Sequence, residues 1–396
     1  MKKPELLAPA GDLEKLKIAL LYGADAVFIG GKQFSLRARA SNFELDDIKE
    51  AVDFAHQLNK KIYVTTNIIP HSEDLEGLID YLKALERINV DAIIAASSSI
   101  INIAKKHTNL EIHLSTQQSL TNYEAVNFWS ERGAKRVVLA RELDRDELRQ
   151  LRQHTKTDLE VFIHGGMCVS YSGKCTLSNN MTDRDSNRGG CAHSCRWNYD
   201  LFEDGEKKNK DVPFSMSSKD LQAVKYISSL IDIGVDSLKI EGRMKSIHYI
   251  ATVVGTYRKL IDDICDDIAI TIPKYLLEIK KAENRLTSHG FMEGMTTMNE
   301  QLYNLRSEQP TQEFIGLVLD YDKATKTAII EQRNKFVTGD LAEILSPNFQ
   351  PVTFKVEEIK DLEGNILDDA KHPKQQLRVP IPFEVKPYDM LRKVKH

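Results

Sequence analysis

The sequence has no long apolar run. No stretch approaches the roughly 20 consecutive apolar residues that a membrane-spanning helix needs. The first residues, 1–3, resemble the start of a secretory signal, but Asp12, Glu14 and Lys15 interrupt any apolar core of such a signal. We therefore expect a cytoplasmic protein that does not associate with a membrane.

An excess of positive charge is also missing. The 396 residues carry a formal net charge of −4, which argues against a uniformly basic surface for nucleic acids but allows a local basic patch. Internal repeats and low-complexity tracts are absent too. A chain of this length has room for one large domain and one small domain.

Cysteine is scarce, and its distribution is uneven. Four of the five cysteines form a cluster with the spacing Cys168-x6-Cys175-x15-Cys191-x3-Cys195. In a reducing compartment such a cluster indicates metal or redox chemistry rather than disulfides. Thiolates bind both tetrahedral zinc and iron–sulfur clusters. The spacing alone leaves both kinds of centre open and slightly favours zinc.

Short apolar runs alternate with amphipathic segments through the first 240 residues. Such runs predict buried parallel strands, here over Glu5–Pro9, Asp25–Gly30, Lys61–Asn67, Asp91–Ala96, Glu111–Thr116, Lys135–Ala140, Leu159–Gly165 and Ser237–Glu241. Helical periodicity between them predicts helices, among them one capped by Asp12 and others over Leu45–Leu58, Glu73–Ile88 and Asn122–Arg132. This α/β alternation predicts a TIM-like (β/α)8 barrel over residues 1–305.

The cysteine cluster lies in the long segment between the seventh and eighth predicted strands. We interpret residues 166–212 as an inserted loop at the carboxyl ends of the strands, where barrel enzymes have their active sites. Val212–Met216 also has strand character. That segment would be a ninth strand, which an eight-stranded barrel cannot include.

The sequence pattern changes after the barrel. Helical periodicity continues over Ile250–Asp263 and Pro273–Thr287. Beyond residue 306, β-forming runs between turn signals predict a small C-terminal all-β barrel domain over residues 306–396. Its predicted strands are Glu313–Asp320, Thr327–Arg333, Leu341–Leu345, Val352–Ile359 and Phe383–Met390.

One segment resembles the signature of the collagenase-like peptidases, peptidase family U32. The matching residues are Glu160, Phe162, Gly165, Cys168, Gly173, Cys175 and Ser178. Gly166 departs from the signature, since the family usually has Ser or Ala there. Four further segments are similar to the same family, namely Leu7–Gly11, Leu114–Gln117, Ser217–Leu221 and Lys239–Ser246.

The family name implies a peptidase, although the chain has neither an HExxH zinc motif nor a GxSxG nucleophile motif. Relatives in the family instead hold an oxygen-sensitive 4Fe-4S cluster on four cysteines and hydroxylate aromatic or nucleobase rings. The resemblance therefore implies that the metal ligands are Cys168, Cys175, Cys191 and Cys195. It makes a 4Fe-4S cluster the expected cofactor and leaves zinc as the alternative.

The layout of one barrel and one short β-domain is most similar to the tRNA-hydroxylating members of the family. That likeness implies an iron-sulfur dependent enzyme that converts the wobble uridine of tRNA to 5-hydroxyuridine, with prephenate as co-substrate. A peptidase, or a hydroxylase of another RNA or aromatic substrate, is the alternative. The expected partners are tRNA and prephenate, and a paralogous or identical partner chain stays open.

Such a reaction needs cations for RNA phosphates and for a dicarboxylate. The candidate substrate-binding cations are Arg184, Arg188, Arg196, Arg243 and Lys245, with Lys174, Arg37 and Arg39 as further possibilities. Polar and aromatic side chains could read or stack on a flipped base, and Gln117 and Tyr249 are the candidates for this role. Tyr171 and Trp197 are further aromatic candidates.

Three charged residues are candidate catalytic groups: Glu160, Glu241 and Lys219. Carboxylates at the ends of barrel strands can act as general bases or orient a ligand. For Glu160 the alternative is a buried ion pair with Lys239 or a neighbouring arginine. Lys219 could form a hydrolytic pair with Ser217, but no oxyanion site is visible in the sequence.

Overall fold

The N-terminal part of the chain alternates strands and helices. The computed structural model describes residues 2–36, 42–209, 214–282, 285–302, 313–347 and 351–394. Its first strands are β1 (Glu5–Pro9), β2 (Ala26–Gly30), β3 (Lys61–Thr66), β4 (Ala92–Ala95), β5 (Glu111–Leu114), β6 (Arg136–Val138) and β7 (Asp158–Gly165). The helices are α1 (Leu13–Leu21), α2 (Leu45–Gln57), α3 (Leu78–Ile88), α4 (Ser98–His107), α5 (Tyr123–Glu131) and α6 (Arg145–Gln153).

The segment after β7 is longer and less regular. It contains α7 (Leu177–Thr182), β8 (Phe202–Glu203), β9 (Glu206–Lys207), β10 (Asp220–Gln222) and α8 (Ile227–Ile233). The chain then forms β11 (Ser237–Ile240), α9 (Ile247–Cys265), α10 (Ile272–Lys280) and β12 (Thr287–Ser288).

Eight parallel strands form a closed barrel. β1 to β7 pair in sequence order, and β11 closes the sheet by pairing with both β7 and β1. All five residues of β2 are buried, because the helices cover its outer face and the barrel interior covers the other. The predicted TIM-like barrel is therefore confirmed. β10 is an additional strand, antiparallel to the end of β7 at His164 and Gly165.

The C-terminal domain is all-β, as predicted. Its strands are β13 (Glu313–Asp322), β14 (Thr327–Gln332), β15 (Phe336–Val337), β16 (Leu341–Leu345), β17 (Val352–Lys355), β18 (Asp369–Ala370), β19 (Gln376–Pro380) and β20 (Met390–Lys393). Six of them form one antiparallel sheet in the order β17-β16-β20-β13-β14-β19. The described strands β17 and β19 end the sheet unpaired with each other, so it is a half-barrel.

Several predicted bounds were wrong. Of the predicted strand Phe383–Met390, only Met390 lies in a strand. The strand β19 was missed; in β19, polar residues alternate with the buried Leu377 and Val379. The predicted helix Pro273–Thr287 ends at Lys280, and Thr287 belongs to β12. Within Val212–Met216, Ser215 and Met216 are not in a strand, and residues 212–213 lie outside the described residues. The domain boundary at 305–306 also lies outside them.

The half-barrel packs on the outside of the (β/α)8 barrel. Tyr22, at the end of α1, is buried and donates its hydroxyl hydrogen to the carbonyl oxygens of Leu345 and Tyr388, at 2.8 and 3.0 Å. Arg392 is fully buried between the two units and pairs with Glu278 and Glu343 at 2.6 Å each. No helix in the described part of the chain is long and apolar enough to cross a membrane.

Candidate active site at the mouth of the barrel

A cavity of about 250 Å³ opens at the carboxyl ends of the barrel strands. The residues that follow β3, β5, β6 and β11 line it together with the end of β7 and the segment after it. Polar residues from the strand ends include Asn67, Ser115, Gln117, Glu241 and Arg243. The segment 166–196 covers the opposite side of the cavity.

All four clustered cysteines line this cavity, although the first and the last are 27 positions apart in sequence. Each is a free thiol, and Cys168 and Cys191 are exposed. The backbone N–H of Leu177 donates to Sγ of Cys175 at 3.5 Å, and the hydroxyl of Ser178 lies 4.0 Å from Sγ of Cys191. Local hydrogen bonds therefore orient two of the four thiols.

Two glycines let the cysteine segment approach the strand ends. Gly165 and Gly173 have φ angles of +106° and +79°. A Cβ atom on Gly165 would lie 2.6 Å from the carbonyl oxygen of Glu241, and one on Gly173 would lie 2.6 Å from that of Gln117. Since no side chain fits at either point, the two glycines are required by both the backbone conformation and the space.

The four thiols are close enough to influence one another. Burial raises the pKa of Cys195, and the negative charges of the other three cysteines raise it further, while Arg196 opposes the shift. Among the residues that the structure describes, no three His, Cys, Asp or Glu side chains are placed to hold a single metal ion.

Cations outnumber carboxylates in the lining of the cavity. The four cationic residues are Arg141, Arg196, Lys239 and Arg243, and the one carboxylate of the described lining is Glu241. Arg243 is buried and donates to Ser35 Oγ and to the carbonyl of Leu36, at 3.4 Å each. Fixed guanidinium groups in such a space favour an anionic ligand.

Glu241 lies directly after β11 and is tied to the cysteine segment. Its Oε2 accepts a hydrogen bond from the backbone N–H of Gly166 at 3.3 Å. The guanidinium of Arg196 lies near the same carboxylate. A Cβ atom placed on Gly166 would be 2.7 Å from Arg196 Nη2 and 3.4 Å from Glu241 Oε2. The buried Tyr249 donates its hydroxyl hydrogen to the carbonyl of Glu241 at 3.1 Å. Tyr249 therefore positions Glu241 and has no free face for a base.

Glu160 lies inside the barrel and is not part of the cavity lining. It pairs with Lys239 Nζ at 2.7 Å and with Arg136 Nη1 at 3.3 Å. Burial opposes its ionisation, but the two cations outweigh burial and hold the pKa of Glu160 below its usual range. The alternative of a buried ion pair is thus what the structure contains.

Other predicted site residues are also outside the cavity. Arg188 pairs with Asp74 at 2.7 Å and with Glu73 at 3.3 Å. Arg184 and Lys245 do not line the cavity either. Lys219 lies outside it as well and donates to the carbonyl of Asn299. Arg37 and Arg39 lie outside the described residues.

Several cavity residues were not predicted, and the clearest is Arg141. It lies three residues beyond the end of β6, and its guanidinium stacks 3.8 Å from the centre of the Phe162 ring. The rule that active-site residues follow barrel strands could have found it. His193 also lines the cavity. His164 does not line it; this histidine is buried, and burial lowers its pKa to about 3.

Comparison with known proteins identifies the family of this chain. The model of peptidase family U32 matches residues 11–302, and that of the peptidase family U32 C-terminal domain matches residues 310–392. The chain belongs to peptidase family U32. It is 50% identical to a protein of Bacillus subtilis named tRNA hydroxylation protein P1, over all of this chain and 96% of that protein.

Two other relatives of this U32 member have different names. The tRNA hydroxylation protein P of Escherichia coli is 32% identical, with 97% of this chain and 95% of that protein covered. A protein of Porphyromonas gingivalis named collagenase is 30% identical, with 98% and 97% covered. The family name therefore does not decide between hydrolysis and hydroxylation.

Proposed function

We propose that this U32 protein is a cytoplasmic tRNA hydroxylase that converts the wobble uridine to 5-hydroxyuridine, with prephenate as co-substrate and a 4Fe-4S cluster as cofactor. The observation that carries the proposal is the convergence of four free thiols and four cationic side chains on one cavity at the mouth of the barrel. The 50% identity to a tRNA hydroxylation protein over the whole chain supports the same substrate.

The donor set fits an iron–sulfur cluster. Such clusters are bound by four cysteine thiolates, and Cys168, Cys175, Cys191 and Cys195 supply four around one space. Zinc, the alternative, is also bound by thiolates, and the iron and sulfide content of the purified protein distinguishes the two centres. When bound, the cluster would supply the redox chemistry that the side chains of this cavity lack.

The remaining residues of the cavity would bind and orient the substrates. Arg196 and Arg243 provide donors for anionic groups of the substrates. Glu241, held by the backbone of Gly166, is the carboxylate available to hold or move a proton next to them. Tyr171 is 46% exposed at the rim and can stack on a base that leaves the anticodon loop.

A peptidase is the second candidate, because the collagenase-named relative matches nearly the full chain. The predicted Ser217–Lys219 pair would have to act as nucleophile and base. The two side chains make other contacts: Ser217 Oγ donates to the carbonyl of Ser218 at 3.3 Å, and Lys219 Nζ donates to the carbonyl of Asn299. These contacts argue against a catalytic Ser217–Lys219 pair.

Two measurements test the proposal. Protein purified without oxygen should be brown and contain about four iron and four sulfide per chain. A colourless protein with one tightly bound zinc would contradict the cofactor. Cleavage of peptides by the pure protein, lost in Ser217→Ala, would favour the peptidase instead.

A further inference from the structure

Arg141 has an unusual position among the cations of the cavity. The carbon of its guanidinium lies 3.8 Å from the centre of the Phe162 ring. Such a cation–π contact holds the guanidinium at the ring but uses none of its N–H donors. The edge of the group thus remains available to a planar acceptor such as a carboxylate.

No described carboxylate lies within ion-pair distance of Arg141. Lys239, another cation of the cavity lining, does have such a partner. Lys239 is paired with Glu160 at 2.7 Å. Burial lowers the pKa of Lys239, and the positive charges of Arg136 and Arg141 lower it further, against the effect of Glu160. Arg141 therefore adds a positive charge near Lys239, whose own charge Glu160 offsets, and a bound anion would be stabilised there.

Gln117 offers a second, independent indication. Its Oε1 accepts hydrogen bonds from Asn67 Nδ2 at 2.7 Å and from Ser115 Oγ at 3.0 Å. These two donors fix the orientation of the amide. Its Nε2 is buried and has no hydrogen-bond acceptor in the described structure. A buried donor without an acceptor is costly, and an oxygen atom of a ligand would satisfy it.

The two groups belong to neighbouring strands. Gln117 follows β5, Arg141 follows β6, and Phe162 lies on β7. All three line the same cavity. The cysteine segment covers them, since Gly173 packs on the backbone of Gln117 and Ser119 Oγ donates to the carbonyl of Ser172 at 2.8 Å. Arg141 and Gln117 thus lie in a covered part of the cavity that a small anion can enter.

We propose that Arg141, stacked on Phe162, and Gln117 form the carboxylate-binding subsite of this cavity, and that a small-molecule carboxylate binds there. The choice of a co-substrate carboxylate rests on the proposed function. Arg141 would bind the two oxygens of the carboxylate bidentately. Nε2 of Gln117 would donate to the same group or to an adjacent oxygen of the ligand.

Calorimetric titration of the anaerobically purified holoprotein tests this assignment. The probes are prephenate, which has two carboxylates, phenylpyruvate, which has one, and inorganic phosphate. The variants are Arg141→Gln, Arg141→Lys and Phe162→Leu, with Arg149→Gln as control, since Arg149 is an exposed arginine that pairs with Asp146 on α6. Iron content and thermal unfolding establish that each variant is folded and loaded.

We expect Arg141→Gln to weaken prephenate binding by about tenfold or more, as loss of a charge-assisted pair should. Arg141→Lys and Phe162→Leu should weaken it less, and Arg149→Gln should bind like the wild type. Wild-type affinity in Arg141→Gln, or absence of carboxylate binding by the wild type, would overturn the proposal. Tighter binding of phosphate than of prephenate through Arg141 would also overturn it and indicate an RNA contact.

The two proposals fail separately. If tRNA from cells that lack this protein keeps its 5-hydroxyuridine, the proposed function is wrong, and the titration still decides whether Arg141 binds carboxylates. If Arg141→Gln leaves binding unchanged while tRNA hydroxylation depends on the protein, only the subsite is wrong.

Discussion

Replacing Glu160 by glutamine should destabilise the protein strongly. The carboxylate is fully buried and neutralises Lys239 at 2.7 Å, while it shares Arg136 with Glu5. Glutamine keeps the volume but leaves Lys239 buried without its counter-ion. Removing one partner of a buried ion pair typically costs about 3–5 kcal/mol. We expect a loss of that size in the free energy of unfolding.

Urea unfolding followed by circular dichroism measures this loss. A matched control is the double variant Glu160→Gln with Lys239→Met, which removes both charges of the pair and should recover most of the lost stability. Arg136 keeps its contact with Glu5 at 2.6 Å in both variants. A loss below about 1 kcal/mol in the single variant, the range of exposed ion pairs, would refute the assignment of Glu160 to a structural ion pair.

Three further predictions concern pH, the cysteines and a glycine. Burial lowers the pKa of His248 to about 3. Below about pH 6.5 the unfolded chain therefore binds a proton that the folded chain does not. The free energy of unfolding falls as the pH drops from 6.5 towards 3. The variant His248→Phe can keep the stack on Phe314. In urea titrations at several pH values, it should reduce this fall by up to about 1.4 kcal/mol per pH unit. An unchanged dependence of stability on pH would contradict the buried neutral histidine. Cys168→Ala should lower the iron content of anaerobically purified protein, whereas Cys265→Ser, on α9 outside the cavity, should not; equal iron in both would argue against the ligand set. Gly173→Ala should lower the free energy of unfolding by about 1–3 kcal/mol through backbone strain. It should also weaken iron retention, because the new Cβ meets Gln117. Gly205→Ala, at a φ of +81° and in open space, should show only the loss from strain.

The eight barrel strands could be predicted because each is a short apolar run buried on both faces. The predicted and observed bounds differ by no more than two residues at either end. β10 was not predicted, since its three residues carry no period and it forms by pairing with the end of β7 and with the distant β12. The half-barrel strand β19 was missed because Pro380 is its last residue and Pro382 follows it, and prolines at these positions favour a loop.

The candidate site was predictable in outline. The cysteine segment and the strand ends could be placed on one side of the barrel, since the carboxyl ends of parallel strands lie together. The individual cations could not be assigned from sequence. Arg188 is neutralised by Asp74, which is more than 100 residues away in the chain, and Arg141 gains its position from stacking on Phe162. Such contacts depend on tertiary packing and leave no local sequence pattern.

Nucleoside mass spectrometry of tRNA most directly tests the proposal that this cysteine-lined cavity serves tRNA hydroxylation. The strain should lack this gene and any second copy, and it should be complemented with the wild type, Cys191→Ala or Cys265→Ser. We expect 5-hydroxyuridine and its derivatives to disappear in the deletion strain, to return with the wild type and Cys265→Ser, and to stay absent with Cys191→Ala. Unchanged amounts in the deletion strain, or full recovery with Cys191→Ala, would contradict the proposed function.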